Sequence, residues 1–159
     1  MPYEKQLTTH FSLVELAERG DPDAGQKMPG EVYRDLLDLA QHVLEPIRQQ
    51  FGPLTITSGY RSPEHNAEVG GASGSKHLLG QAADIAATDD MQIKIAAFAT
   101  SLPKLGGFGI YPGSGLVHVD IRPRVNGAIT RWIQINGIYH PLTAIFPQYK
   151  QLVAAGAKL

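Results

Sequence analysis

The sequence predicts an α+β domain in which helices pack against a small, mostly antiparallel β-sheet. Three observations lead to this fold class. Apolar residues recur at helical spacing in the first fifty residues, and short β-rich runs follow. The predicted elements come in the order helix, helix, strand, helix, strand, helix, strand, strand. The last two strands are separated by a loop of hairpin length, which favours antiparallel pairing.

The N-terminal third is predicted to be helical. Ser12 can cap a short first helix, which ends by Gly20. A longer helix is expected from Pro29 to Gly52, because its apolar side chains fall on one face. Pro46 lies inside it and is expected to kink it or end it early, since proline lacks an amide hydrogen.

The middle of the chain alternates short strands and helices. A β-rich strand is predicted at residues 54–57, and Ser62-Pro63 then begins a short helix that reaches about Val69. The glycine-rich segment 70–75 is too small and flexible for regular structure. A short buried strand at Ala82–Ala86 and a helix at residues 88–100 are expected to follow.

Two further strands, at residues 108–111 and 116–122, are joined by the loop Pro112-Gly113-Ser114-Gly115. We expect these two strands to pair antiparallel. The last forty residues are less regular in pattern. Apolar and aromatic residues from 132 to 139 indicate either another strand or an ordered tail, and residues 148–155 indicate a closing helix.

Length and composition indicate one domain over residues 1–159. With 43% apolar and 18% charged residues, the chain has the composition of a globular protein. Its formal net charge of -1 offers no basic surface for nucleic acid or for an anionic membrane. No apolar run is long enough for a membrane span or forms a signal peptide, so we expect synthesis in the cytoplasm. We expect a monomer.

Strand 116–122 carries a strict alternation. Val117 and Val119 are expected to face the core, while His118, Asp120 and Arg122 share the opposite face. A solvated face is the commoner reason for this pattern. Taken alone, the alternation therefore favours an ordinary surface over a site.

The segment 75–84 adds a second histidine and a carboxylate. Asp84 lies among small apolar residues, where burial without a cation or several hydrogen-bond donors would be costly. The chain has no cysteine, so a metal site must use His, Asp and Glu. His77, Asp84 and His118 can supply three ligands and leave a fourth position for water, which is the pattern of a catalytic zinc. Individually, His77 could be an ordinary loop residue and Asp84 could be satisfied by backbone donors.

A family resemblance follows from these residues. The segment from Ser75 to Asp84 matches the signature SxHxxGxAxD and resembles the zinc D-Ala-D-Ala carboxypeptidase family. The segments 57–63, 107–112 and 117–120 are similar to the branch of that family with phage lysins and bacterial cell-wall enzymes. The resemblance covers roughly residues 10–125 and implies the fold shared by these peptidases and the hedgehog signalling domain.

The resemblance also assigns roles to residues. The zinc ligands of the family fall on His77, Asp84 and His118. Arg61 falls on the arginine with which relatives hold the substrate carbonyl or carboxylate, and could stabilise an oxyanion. Without that role, Arg61 would be a turn residue that caps a helix or pairs with Glu64.

Further roles remain open at this stage. Ser75 could orient the substrate or brace its loop, and Tyr111 could donate to the oxyanion or pack in the core. Many relatives place an acidic general base three residues before the last zinc histidine, where this chain has Gly115. Asp120 could serve as that base, or could hold His118 in one tautomer from behind.

The function implied by the resemblance is zinc-dependent hydrolysis of a peptide bond in the stem or cross-bridge peptides of peptidoglycan. An endopeptidase is favoured over a D-Ala-D-Ala carboxypeptidase. The absence of a signal peptide suggests a phage or prophage endolysin that leaves the cytoplasm through a holin and acts on the cell wall in the periplasm. A non-catalytic zinc-containing binding or tail module is the alternative from another class, and Gly115 is its main support.

Overall fold

The computed structural model describes residues 3–159. The helices within this range are α1 (Leu13–Ala17), α2 (Ala24–Lys27), α3 (Gly30–Leu39), α4 (Glu45–Phe51), α5 (Pro63–Glu68), α6 (Asp89–Ala99) and α7 (Pro147–Ala154). The strands are β1 (Ile56–Ser58), β2 (Ala82–Ala86), β3 (Gly107–Tyr111), β4 (Leu116–Asp120), β5 (Thr130–Ile135) and β6 (Ile138–Pro141). A π-helical segment (Ala40–Leu44) joins α3 to α4, and a 3₁₀ turn (Lys76–Leu79) precedes β2.

Predicted helix starts are present where side chains cap them. The Ser12, Ser62 and Thr88 hydroxyls each accept a hydrogen bond from the backbone N–H three residues later, at 3.1 to 3.3 Å. These bonds satisfy amides that have no partner inside the helix. The short helix α2 is not among the predicted elements.

The long N-terminal helix continues past Pro46. Its backbone widens into the π-helical segment Ala40–Leu44 directly before α4, which begins at Glu45. A proline ring collides with the carbonyl group four residues earlier in a regular α-helix, and a π-helical turn changes the spacing of these carbonyl groups. The helix is therefore distorted near Pro46 but does not end there.

The strands form one sheet in the order β1-β2-β4-β3-β5-β6. All neighbours are antiparallel except β3 and β5, which are parallel. The predicted hairpin of β3 and β4 is confirmed. The region predicted as a strand or tail at 132–139 is two strands with a turn between them, and β5 extends the sheet beside β3. The α+β fold class is confirmed.

Two adjacent rows of residues show how the sheet divides core from site. The first row crosses four strands and is completely buried: Ile85, Val117, Ile110 and Ile133. Successive residues of a strand point to opposite faces. The neighbouring row therefore lies on the other face: Asp84, His118, Gly109 and Trp132.

Helix α6 contacts β3, β4, α4 and α7. The C-terminal segment adds Leu142 and Leu152, which are almost completely buried, to the same hydrophobic core. Of the helices among residues 3–159, none has the length and apolar character that crossing a bilayer requires.

Candidate metal centre

Three predicted ligands meet on the side of the sheet opposite the main core. His77 comes from the 3₁₀ turn before β2, Asp84 from β2 and His118 from β4, directly opposite Asp84 in the register. One ligand atom from each residue lies within 4.8 Å of the others. The two Asp84 oxygens lie 3.3 Å from His77 Nε2 and 3.0 Å from His118 Nδ1. The geometry therefore allows one ion to contact all three side chains.

The ring of His77 is fixed by backbone contacts. Its Nδ1 lies 2.7 Å from the carbonyl oxygen of Gly59. A carbonyl oxygen only accepts, so Nδ1 carries the proton and Nε2 presents a lone pair to Asp84. Ser75 accepts a hydrogen bond of 3.2 Å from the backbone N–H of His77, which supports its predicted role as a brace of this loop.

His118 is fixed from the opposite direction. Its Nε2 lies 2.8 Å from Asp120, whose side chain is fully buried behind the ring. Arg122 donates to both oxygens of this carboxylate, with Nε at 2.9 Å from each. Burial raises the pKa of Asp120, but the hydrogen bonds from His118 and Arg122 lower it by more, so that the pKa is about 2. The ionised carboxylate therefore holds a proton on His118 Nε2 and leaves the Nδ1 lone pair facing Asp84.

These contacts create a site that requires positive charge. Two imidazole lone pairs face the carboxylate of Asp84, and three electron-rich groups at such distances repel one another unless a cation lies among them. Without a metal, burial raises the pKa of Asp84, but hydrogen bonds and positive charge from His118 and His77, when these rings carry a proton towards it, lower that pKa well below its ordinary value. Two nitrogen donors and one oxygen donor fit a zinc ion with an open fourth position.

In the metal-free protein a proton can supply part of this charge. Burial lowers the pKa of His118, but hydrogen bonds to Asp120 and Asp84 raise it by more, so the net shift is upward. Metal and proton therefore compete for the same lone pair, as expected when a ligand must be deprotonated.

The cluster lies in a cleft. Gly70, Gly71, Ala72 and Gly74 of the glycine-rich segment line it, together with Trp132 and Tyr139 of the β5–β6 hairpin. Arg61, Ser75 and Tyr111, all predicted site residues, also line this cleft.

Arg61 is linked to the glycine-rich segment through the side chain of Asn66. Its Nη1 donates to Asn66 Oδ1 at 3.1 Å, and Asn66, itself buried, donates to the carbonyl oxygen of Ala72 at 3.1 Å. The alternative ion pair with Glu64 does not occur among the described residues. Arg61 Nε is buried and has no hydrogen-bond partner in the described part of the chain, so the guanidinium retains donor capacity beside the cleft.

The structure separates the two roles considered for Asp120. This carboxylate is 0% exposed and is not part of the cleft lining, and its oxygens already accept from His118 and Arg122. This geometry favours the positioning role over that of a general base. Gly115 lies in the β3–β4 turn with a φ of +74°, a conformation that favours glycine. Among residues 3–159, Asp84 is the only carboxylate in the cleft lining.

Trp132 is a site residue that the sequence analysis did not single out. Its Nε1 donates to Tyr111 Oη at 3.1 Å, and its ring lies 4.9 Å from the ring of His118. Burial raises the pKa of the Tyr111 hydroxyl above its ordinary value, so Tyr111 is protonated at neutral pH. The alternating glycines of β3, Gly107 and Gly109, were the available signal, because they leave space on the face that carries Tyr111.

The remaining four histidines lie away from the metal-binding cluster. His10 pairs with Glu45 at 2.9 Å, His42 with Asp38 at 3.5 Å and His65 with Glu68 at 3.7 Å. None of these residues, nor His140, lines the cleft formed within residues 3–159.

Comparison with known proteins agrees with this geometry. The model of the family Peptidase M15 matches residues 10–120. The chain is 34% identical over 80 residues to a zinc D-Ala-D-Ala carboxypeptidase of Streptomyces albus G, covering 49% of this chain and 31% of that protein. It is 37% identical over 136 positions to a probable peptidoglycan L,D-endopeptidase MepK of Haemophilus influenzae, covering 75% and 70%. A MepK of Escherichia coli is 38% identical over 76 residues, covering 45% and 41%. The chain thus spans about a third of the length of the Streptomyces relative.

Proposed function

Since this chain belongs to the peptidase M15 family, we propose that it is a zinc-dependent peptidase that cuts a peptide bond in the stem or cross-bridge peptides of peptidoglycan. One observation carries the proposal. Two imidazole lone pairs and an ionised carboxylate meet in the lining of one cleft, and each imidazole is oriented by a hydrogen bond at its other nitrogen. The predicted zinc cofactor is confirmed by the family and by this set of donors.

The ligands in this proposal are His77, Asp84 and His118. Zinc bound by them supplies a Lewis acid that activates water and polarises the scissile carbonyl group. The carbonyl of Gly59 and the carboxylate of Asp120 keep both rings in the tautomer that ligation requires.

Arg61 and Tyr111 act on the substrate in this proposal. Attack on a peptide carbonyl places negative charge on its oxygen, and donors fixed beside that oxygen lower the barrier. Arg61 offers a guanidinium held by Asn66, and Tyr111 offers a protonated hydroxyl. Ser75 lines the same cleft and braces the loop that carries His77.

We favour an endopeptidase over a carboxypeptidase. The support is the similarity to the Haemophilus relative, which is named an L,D-endopeptidase and of which the chain covers 70%. The Streptomyces relative supports a D-Ala-D-Ala carboxypeptidase, but over only 31% of its length. Either activity places the same three ligands at the cleavage site.

An endolysin-type enzyme is the finer proposal, and it rests on the sequence motifs at 57–63 and 107–112. Such an enzyme, added to outer-membrane-permeabilised Gram-negative cells, lowers their turbidity within minutes. A protein that cuts isolated stem peptides but leaves these cells intact is a peptidase of another biological role.

Digestion of purified sacculi tests the function itself. The protein with one equivalent of zinc is incubated with sacculi, and mass spectrometry identifies the soluble fragments and the bond that was cut. We expect new peptide termini, and none with the variant His77→Ala. If zinc binds stoichiometrically and no fragment is released, the non-catalytic binding module is the correct alternative.

A further inference from the structure

The β5–β6 hairpin lies outside residues 10–120, the part that the family model matches, yet it contributes Trp132 and Tyr139 to the cleft lining. It reaches the site because β5 pairs in parallel with β3 and places Trp132 opposite Gly109. Trp132 is therefore in the same row as His118 and Asp84, two strands from His118, with Gly109 of β3 between them.

The indole of Trp132 is held in one place by its neighbours. A Cβ atom on Gly109 would collide with Trp132 Nε1, so the indole occupies the space that a side chain on β3 would take. His118 contacts one part of the indole, with ring centroids 4.9 Å apart. The Arg122 guanidinium lies 4.9 Å from the indole centroid and also binds Asp120. The same arginine thus contacts both Trp132 and the carboxylate that orients His118.

The hydrogen bond between Trp132 and Tyr111 has a directional consequence. An indole N–H can only donate, so the Tyr111 oxygen is the acceptor in this 3.1 Å bond. A phenolic hydroxyl has one proton, which must then point away from the indole. After burial, a hydrogen bond with the Tyr139 hydroxyl is among the causes that raise the pKa of Tyr111. Both tyrosines line the cleft, so the proton that points away from the indole lies on the cleft side of Tyr111.

We propose that Trp132 is a positioning residue that directs the hydroxyl proton of Tyr111 into the cleft, where it donates to the carbonyl oxygen of the bound peptide. This inference rests on the proposed peptidase function. Trp132 does not touch the reacting atoms; it acts through Tyr111. A tryptophan that only lines the cleft would contribute to substrate affinity and to stability. A positioning residue contributes to kcat.

The first test observes the hydrogen bond directly. Trp132 is the single tryptophan of the chain, so a ¹⁵N-labelled sample gives one indole N–H resonance. We expect this proton to exchange slowly with solvent in the wild-type protein and at least tenfold faster in Tyr111→Phe. Tyr149→Phe is the matched control, since it removes the hydroxyl of a tyrosine that contacts Arg131 and not Trp132. Fast exchange in the wild-type protein overturns the inference, whatever the enzymatic activity.

The second test is a double-mutant cycle with a soluble muropeptide substrate. Removal of one oxyanion donor typically lowers kcat by about 10² to 10³. We expect Tyr111→Phe to approach this loss and Trp132→Phe, which keeps an aromatic ring, to lower kcat about tenfold, with KM within twofold. The double variant should be no slower than Tyr111→Phe, because Trp132 acts only through that hydroxyl.

Two outcomes of the cycle contradict the inference. If the losses in kcat multiply in the double variant, Trp132 acts independently of Tyr111. If Trp132→Phe raises KM and leaves kcat unchanged, Trp132 contributes only to substrate binding. Zinc content and the unfolding midpoint of each variant show whether the site is intact. A wild-type protein that binds zinc but cuts nothing refutes the proposed function, and the indole exchange measurement still decides whether Trp132 fixes Tyr111.

Discussion

Asp120 shows how one buried side chain determines the chemistry of another. It is enclosed by His118 and Arg122 and reaches no solvent, so its charge acts on the ring and not on the substrate. Carboxylates that hold a ligating histidine in this way raise its basicity and fix its tautomer. The sequence alternation placed Asp120 on the correct face, but only the contacts distinguish the two proposed roles.

Asp120→Asn tests this positioning role. The amide keeps the shape of the side chain but removes its charge and leaves Arg122 unpaired, so His118 is free to change tautomer. We expect zinc affinity to fall about 10- to 100-fold. Competition with a chromogenic chelator measures it, and Asp90→Asn, which removes an exposed carboxylate paired only with Lys94, is the control. Unchanged zinc affinity in Asp120→Asn would contradict the role.

Glu45 provides a pH-dependent contribution far from the cleft. Burial raises the pKa of Glu45, but hydrogen bonds from His10 and Thr8 lower it by more. The resulting pKa is below the ordinary value of 4.5. Its carboxylate accepts from the backbone N–H of His10 at 2.7 Å and contacts His10 Nδ1 at 2.9 Å. A lowered pKa means that folding favours the ionised form of Glu45. Its stabilisation of the fold is therefore fully present above pH 4.5 and is lost as the pH falls through the folded-state pKa.

Glu45→Gln should therefore be destabilised by about 1 kcal/mol at pH 7, the net value of one hydrogen bond. The difference from the wild-type protein should shrink as the pH falls from 4.5 through the folded-state pKa, because the Glu45 carboxyl group is then protonated and as neutral as the amide that replaces it. Urea unfolding at pH 7, 5 and 3.5 measures the difference. A gap that stays constant over this range would show that the charge of Glu45 is not involved.

At the scale of elements, strand β3 has large apolar side chains on its core face and two glycines on its site face. Its core face carries Phe108 and Ile110, both completely buried, while Gly107 and Gly109 alternate with them on the site face. A Cβ on Gly107 would meet Asp120 and Arg122 within 2.9 Å, and one on Gly109 would meet the Trp132 indole. The glycines thus leave room for side chains from β4 and β5, although glycine weakens a strand.

Gly109→Ala tests this steric account. The added methyl group cannot share the space of the indole, so Trp132 must move or the strands must separate. We expect a loss of about 1 to 3 kcal/mol in stability, the usual cost of overpacking, and a shift of Trp132 fluorescence. Gly74→Ala is the control for stability, since its Cβ would contact nothing within 4 Å. A fully stable Gly109→Ala with unchanged fluorescence would show that the contact is loose.

At the scale of the whole molecule, the segment after residue 120 is part of the fold. Ile133, Leu142 and Leu152 join the same core as the residues matched by the family model. Helix α7 packs against α6, and the backbone N–H of Lys158 donates to Thr100 at 2.8 Å. We therefore propose that residues 1–159 unfold as one unit.

Truncation after residue 125 tests that proposal. Without β5, strand β3 becomes an exposed edge and loses the side chains that cover the end of the core, so we expect the shortened chain to be unfolded or aggregated. Circular dichroism and zinc binding provide the measurement, with the full chain purified in parallel as the reference. A truncated protein that binds zinc and melts cooperatively would show that the matched residues are a separate unit.

The sequence by itself determined the features that depend on local pattern. Alternation on β4, capping at Ser12 and Ser62, and the spacing from Ser75 to Asp84 depend on neighbours a few residues apart, so they predicted the α+β class, the hairpin and the three side chains that meet. Long-range pairing is different, because the register of β5 against β3 depends on residues more than twenty positions apart. Only the tertiary structure placed Trp132 over Gly109, favoured one of the two roles offered for Asp120 and brought the β5–β6 hairpin to the cleft. The glycines of β3 leave space on the site face, but which side chains fill that space depends on the pairing of strands that are distant in sequence.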